Sequence, residues 1–168
     1  MKALSQGTAL AEIRLLVLDV DGVLTDGRLY FGADGEALKV FHVHDGHGLK
    51  QLQTAGVQLA VVSGRRMAAV EVRMRELGIG TVVQGCADKV AAVTALAAAA
   101  GVPLAATACI VDDTTDLALM QSVGLAVVVA DAHPDTLRCA HWVTTQRGGG
   151  GAVRELCDAL LAARQRSP

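Results

Sequence analysis

Six short apolar runs, Leu15–Val20, Gln58–Ser63, Thr81–Gln84, Ala108–Val111, Leu125–Val129 and Trp142–Thr144, each give way to a polar or glycine-rich turn. The runs are continuously apolar rather than alternating. A strand of that kind needs cover on both faces, which the parallel sheet of an α/β protein provides. Helical patterns lie between them. Met67, Val70, Met74 and Leu77 recur at helical spacing, and Gly78 ends the run. Asp88 is placed to cap a helix presenting Val90, Val93 and Ala97. Leu117–Val123, Pro134–Ala140 and Ala152–Arg164 read as further helices, with Pro134 suited to a first turn. The expected fold is a Rossmann-like parallel sheet with helices on both faces, in one domain spanning 168 residues.

One segment breaks the alternation. "GRLYFGADGEALKVFHV", residues 27–43, reads as strand, turn, strand, with Gly32-Ala33-Asp34-Gly35 as the turn. The chain is 52% apolar but only 2% aromatic, and Tyr30, Phe31 and Phe41 are all but one of its aromatic residues. A lone hairpin is marginal in water. A protruding hairpin at about 28–43 that holds most of the aromatics is expected to pack on something, such as another subunit.

Charge excludes some partners. Fifteen basic and seventeen acidic residues leave a net charge of −2, without the basic excess that nucleic acid or an anionic membrane would require. The N-terminal "MKALSQGTALAEIR" lacks the apolar core of an export signal. Val90–Val111 is free of charge and long enough to span a bilayer, but Gly101-Val102-Pro103 divides it into a helix and a buried strand. Cys86, Cys109, Cys139 and Cys157 form no C-x-x-C pair and read as free thiols of a cytoplasmic protein.

In an open α/β sheet, ligands sit beyond the carboxyl ends of the strands. Those ends carry Asp19 and Asp21, then Ser63-Gly64-Arg65, then Asp88-Lys89, then Asp112-Asp113 with Asp116 just beyond. Carboxylates gathered at one rim repel unless a cation sits among them, and an all-oxygen donor set favours Mg²⁺. Ser63 and Lys89 suit the far side of a metal-bound phosphate. An Asp facing a phosphoryl group can attack phosphorus, and a second Asp two residues on can exchange a proton with the leaving oxygen and then with water. Plainer roles exist for each residue. Asp19 and Ser63 could be turn residues, Asp112 an acid at a helix N-terminus, Asp116 a helix cap and Lys89 a solvated helix residue. His42, His44 and His47 lack the neighbouring cysteines of a structural zinc site, and His42 and His44 would share one face of a strand. His44 and His47 are candidates for the mouth of the site. The run Arg147–Gly151 reads as a mobile loop closing over it.

These stretches carry a resemblance. Asp19-Val20-Asp21-Gly22-Val23-Leu24-Thr25 resembles the first motif of the haloacid dehalogenase superfamily, Ser63-Gly64-Arg65 the second, Lys89 the third and Asp112-Asp113-Thr114-Thr115-Asp116 the fourth. "FHVHDGHG", "SGRR", "VGLAVVVADAHP" and "GAVRELCDALL" follow in the order seen in its 3-deoxy-D-manno-octulosonate 8-phosphate phosphatase branch. The resemblance implies a Mg²⁺-dependent phosphatase of a small sugar-acid phosphate, without a large cap domain, assembled as a homotetramer in which a neighbour helps cover each site. It implies Asp19 as nucleophile and Asp21 as acid/base. It implies a metal held by Asp19, the Asp21 carbonyl and Asp112, with Asp113 and Asp116 in support. Ser63, Gly64 and Lys89 would bind phosphate, and Arg65, His44, His47 and Arg147 are candidate substrate contacts. The chain departs from that branch at Val111 (usually Gly), at His44 (usually Arg) and at Gly150 (usually Arg). A phosphatase for another sugar, such as a nonulosonate 9-phosphate, and a non-catalytic relative are the alternatives. A signalling receiver domain fits less well, because its acceptor Asp typically follows the third strand.

Overall fold

The structure is a computed structural model that describes residues 10–166. The leading stretch read as no export signal therefore lies partly outside the described residues.

Strand β1 (Leu15–Leu18) is the hub of the sheet. It pairs in parallel with β4 (Gln58–Ser63) on one side and β6 (Thr107–Val111) on the other. Beyond β4 lies β5 (Thr81–Gln84), and beyond β6 lie β7 (Leu125–Val128) and β8 (Trp142–Val143), giving the order β5-β4-β1-β6-β7-β8. The chain builds outward to one side of β1 and later to the other, so a crevice opens at the carboxyl ends of β1, β4 and β6. Every residue of β1, β6 and β7 is buried. Both faces of the sheet are therefore covered, as the unbroken apolar runs require.

The helices are α1 (Val43–Thr54), α2 (Ala68–Leu77), α3 (Lys89–Ala99), α4 (Leu117–Ser122), α5 (Pro134–Cys139) and α6 (Ala152–Arg166). Their ends follow local chemistry. Gly78 closes α2 in the left-handed conformation, φ 75°, and the Asp88 carboxylate accepts from Ala91 N at 2.9 Å to cap α3. The uncharged run from Val90 divides between α3 and β6, and among the described residues no helix is long and apolar enough to cross a membrane.

Helix α1 is absent from the sequence expectation, and its burial explains why. It buries Leu49 and Leu52 together with Asp45, Gly46 and Gly48. The two glycines read as breakers, but here they are contact surfaces. A Cβ on Gly48 would lie 3.0 Å from Cys157 Cβ on α6, and one on Gly46 would lie 2.4 Å from an Arg73 nitrogen on α2. Asp45 is 1% exposed and accepts from Arg154 N at 2.8 Å, which joins α1 to the first turn of α6. The helix also shortens the hairpin, whose strands are β2 (Tyr30–Gly32) and β3 (Gly35–Leu38). His42 and His44 are consequently at the start of α1, not on one face of a strand, with ring centroids 5.0 Å apart. The hairpin and the chain running from it into α1 do leave apolar surface in solvent: Leu29, Phe31, Leu38, Val40 and Val43 are all exposed.

Candidate active site

A cavity of about 480 Å³ opens at the carboxyl rim of the sheet. Asp19, Asp21, Ser63, Gly64, Arg65, Lys89, Asp112 and Asp113 line it, joined by Thr115, Leu29 and Cys86. The four sequence stretches singled out at the strand ends thus meet in one place.

Asp19 follows β1 directly, and its amide donates to Ile110 O on β6 at 3.2 Å. Its Oδ1 accepts from Val20 N at 2.7 Å, and its Oδ2 lies 3.1 Å from Lys89 Nζ. Lys89, at the start of α3, also meets Asp116 Oδ1 at 2.8 Å. Asp116 is fully buried and makes no capping bond, so its carboxylate anchors Lys89 instead of closing the helix that follows. Burial alone would lower the affinity of Lys89 for its proton, but Asp19 and Asp116 outweigh it and hold the ammonium charged.

One oxygen each from Asp19, Asp112 and Asp116 falls within a 4.8 Å cluster. Three carboxylates and one ammonium leave two negative charges. The strain is visible in their proton affinities. Burial pushes Asp19 up to about 6, against the pull of Lys89, and burial followed by the charges of Asp19, Asp113 and Asp116 pushes Asp112 up to about 7. An all-oxygen donor set with this surplus charge fits one hard divalent cation.

Gly22 makes the cluster sterically feasible. Its φ is +83°, and a Cβ there would stand 2.1 Å from Asp112 Oδ2. Only glycine lets the first-strand loop and the Asp112 carboxylate occupy adjoining space. Val111, the bulky departure before Asp112, is 1% exposed and pairs with Val128 across β6 and β7. It does not line the cavity.

Ser63 ends β4 with 3% exposure, and its Oγ accepts from Arg65 N at 3.2 Å, which leaves the hydroxyl hydrogen to donate. The expected closing loop is differently employed. Gly148 N donates to Asp131 at 3.0 Å and Gly149 N to Val23 O at 2.9 Å. A Cβ on Gly148 would stand 1.7 Å from Gly22 O. The glycines therefore permit close approach to the chain's own first-strand loop and buttress it from outside. Arg147 is exposed and does not line the cavity, and neither do the exposed His44 and His47.

Glu36 and Lys39 join the site with no signal in the sequence. Lys39 follows β3, its side chain is 2% exposed, and its ammonium hydrogen-bonds Asp21 Oδ1. It also pairs with Glu36 at 3.0 Å. Arg65 meets Glu36 at 2.8 Å and has its Nε 3.7 Å from Asp21 Oδ2. A lysine in a solvent-exposed hairpin carries no signal of burial, so nothing in the local pattern marks it.

A parallel sheet with an Asp pair after its central strand, a Ser, a Lys and a second acidic cluster defines a hydrolase of the haloacid dehalogenase type. The family model for haloacid dehalogenase-like hydrolases matches residues 79–156. The 3-deoxy-D-manno-octulosonate 8-phosphate phosphatase of Yersinia pestis is 47% identical over 156 residues, covering 93% of this chain and 83% of that protein. A crystal structure of the Yersinia pestis phosphatase superposes with a TM-score of 0.92 at 46% identity, covering 94% and 85% of the two chains. The Moraxella catarrhalis phosphatase, solved in complex with a magnesium ion, a phosphate ion and KDO, superposes at 0.90 with 38% identity, covering 94% and 90%. The chain belongs to the 3-deoxy-D-manno-octulosonate 8-phosphate phosphatase family.

Proposed function

We propose that this chain is a Mg²⁺-dependent phosphoric monoester hydrolase that releases phosphate from 3-deoxy-D-manno-octulosonate 8-phosphate. The observation that carries the mechanism is the pairing of Asp19 with Lys89 on the floor of a cavity whose acids hold surplus negative charge. The phosphoryl group enters between Ser63 and Lys89, which donate to its oxygens. An Asp19 oxygen attacks phosphorus as the bond to the sugar oxygen breaks, and Asp21 gives that oxygen its proton. Water then attacks the aspartyl-phosphate, Asp21 takes the proton back, and Asp19 is restored as phosphate leaves. Asp116 keeps Lys89 in place throughout. Asp19, Asp112 and the Asp21 carbonyl would hold Mg²⁺, which when bound would supply the neutralising charge that lets an anionic nucleophile approach an anionic ester.

Asp113 lines the cavity beside Asp112, and its Oδ1 accepts from Thr114 N, so it supports the shape of that loop. The exposed apolar band of the hairpin supports a homotetramer built on these hairpins. In that assembly a neighbour would bring cover to an otherwise open site. Four free thiols suit a reducing cytoplasm.

The test is Asp19→Asn. It should keep the melting curve and lose several orders of magnitude in kcat, because the nucleophile is gone. Wild-type turnover in that variant would end the mechanism.

A further inference from the structure

The two acids of the first motif do not share one environment. Asp19 pairs with Lys89, and Lys89 is backed by a second acid, Asp116. Asp21 pairs with Lys39, and Lys39 is backed by a second acid, Glu36. Each acid thus has its own lysine, and each lysine has its own counter-acid. The second set is drawn from the hairpin, eighteen residues beyond Asp21 in sequence.

We propose that Lys39 is a positioning residue for the reaction: its buried ammonium draws the Asp21 carboxylate toward the hairpin, away from the Asp19–Asp112–Asp116 cluster, and fixes the orientation in which Asp21 exchanges its proton. The geometry supports this in three ways. First, the carboxylates that come within 4.8 Å of one another include Asp19, Asp112 and Asp116 but not Asp21. An Asp only two residues from Asp19 would otherwise be free to turn into that cluster and serve as a further ligand. Second, the Lys39 side chain is 2% exposed, so its ammonium has exchanged water for two carboxylates. A charge buried at that cost is fixed in place by its partners. Third, Arg65 closes the arrangement from the other side, with one contact to Glu36 and its Nε 3.7 Å from Asp21 Oδ2. With Asp21 as the carboxylate, the state in which it takes the proton from water, two acids and two bases make this set neutral, and both oxygens of Asp21 face a cation. The hairpin therefore supplies part of the catalytic geometry within its own subunit.

This inference rests on Asp21 being the general acid, and the test separates the two claims. An alkyl phosphate such as the octulosonate 8-phosphate expels a sugar oxygen that must gain a proton as the P–O bond breaks. p-Nitrophenyl phosphate expels a stable phenolate that needs none. The value of kcat/KM reports only the steps through aspartyl-phosphate formation, so the ratio between the two esters isolates the help given to the leaving group. General acid catalysis is worth about 10²–10⁴-fold. Lys39→Met combined with Glu36→Gln removes the buried pair together, and should lose about 100-fold on the sugar phosphate and under about tenfold on p-nitrophenyl phosphate. Should that double variant not fold, Lys39→Gln reads the same ratio and should move it in the same sense. Asp21→Asn, assayed beside them, should show the same selective loss. Equal losses on both esters in a folded Lys39 variant, with Asp21→Asn still selective, would overturn the role of Lys39 alone. Equal losses in Asp21→Asn itself would overturn the acid assignment and this inference with it.

Discussion

Gly22→Ala separates what the site needs from what the fold needs. The new Cβ would sit 2.1 Å from Asp112 Oδ2, 2.6 Å from its Cγ and 3.3 Å from its Cβ. Carbon and oxygen in van der Waals contact stand more than 3 Å apart, so about 1 Å must be recovered. The backbone at φ +83° adds a penalty of about 1–2 kcal/mol for any residue with a Cβ. The cheapest relief is rotation of the Asp112 carboxylate, which ends in the cavity and not in the packed core. Stability should then fall by little more than the backbone term, about 2–8 °C in Tm for a chain of this length. Activity should fall much further, because a misplacement of about 1 Å at a catalytic group can cost about 10²-fold. The assays are thermal melting, phosphate release, and Mg²⁺ titration followed by the rise in Tm. The expected result is a nearly native melt, a loss of about 10²-fold or more in kcat/KM, and weakened Mg²⁺ stabilisation. Wild-type kcat/KM with unchanged Mg²⁺ response would refute the packing of Gly22 against Asp112.

Lys89→Met should both inactivate the chain and destabilise it by about 3–5 kcal/mol, since it strands the fully buried Asp116, and urea unfolding reads this directly. Asp19 at about 6 and Asp112 at about 7 hold protons that the unfolded chain releases near pH 4. Metal-free protein should therefore lose stability as pH rises from about 4 to about 7, and Mg²⁺ should recover most of it at pH 7.5; a melting temperature that climbs through this window in EDTA would contradict the charge assignment. Glu155 accepts from Thr145 N, Thr145 Oγ1 and Gln146 N, so Glu155→Ala should speed amide hydrogen exchange through 145–149.

The legible part of this protein was its repetition of buried strands and the chemistry at their ends. Apolar runs marked β1, β4 and β6 because a strand covered on both faces has no polar positions to confuse the pattern. Gly78 and Asp88 marked helix ends because capping is a local interaction. The Asp19, Ser63, Lys89 and Asp112 stretches could be brought together because a parallel sheet aligns all its carboxyl ends on one rim. What stayed hidden depended on contacts between distant segments. Helix α1 buries Gly46, Gly48 and Asp45, residues that signal turns when read alone, because neighbouring helices come too close for larger side chains. Lys39 reads as a solvated charge until the hairpin folds back and sets it between Asp21 and Glu36. The glycine run at 148–151 signalled close approach correctly, but its partner is the Gly22–Asp26 loop.

The central claim is the reaction and its substrate, and phosphate release measures both. The chain should be offered 3-deoxy-D-manno-octulosonate 8-phosphate, a nonulosonate 9-phosphate and common hexose phosphates, each with Mg²⁺ and with EDTA. Release should depend on Mg²⁺ and show the highest kcat/KM on the eight-carbon acid. Preference for the nine-carbon acid or a hexose would contradict the substrate, and no release from any ester in the presence of Mg²⁺ would contradict the enzyme.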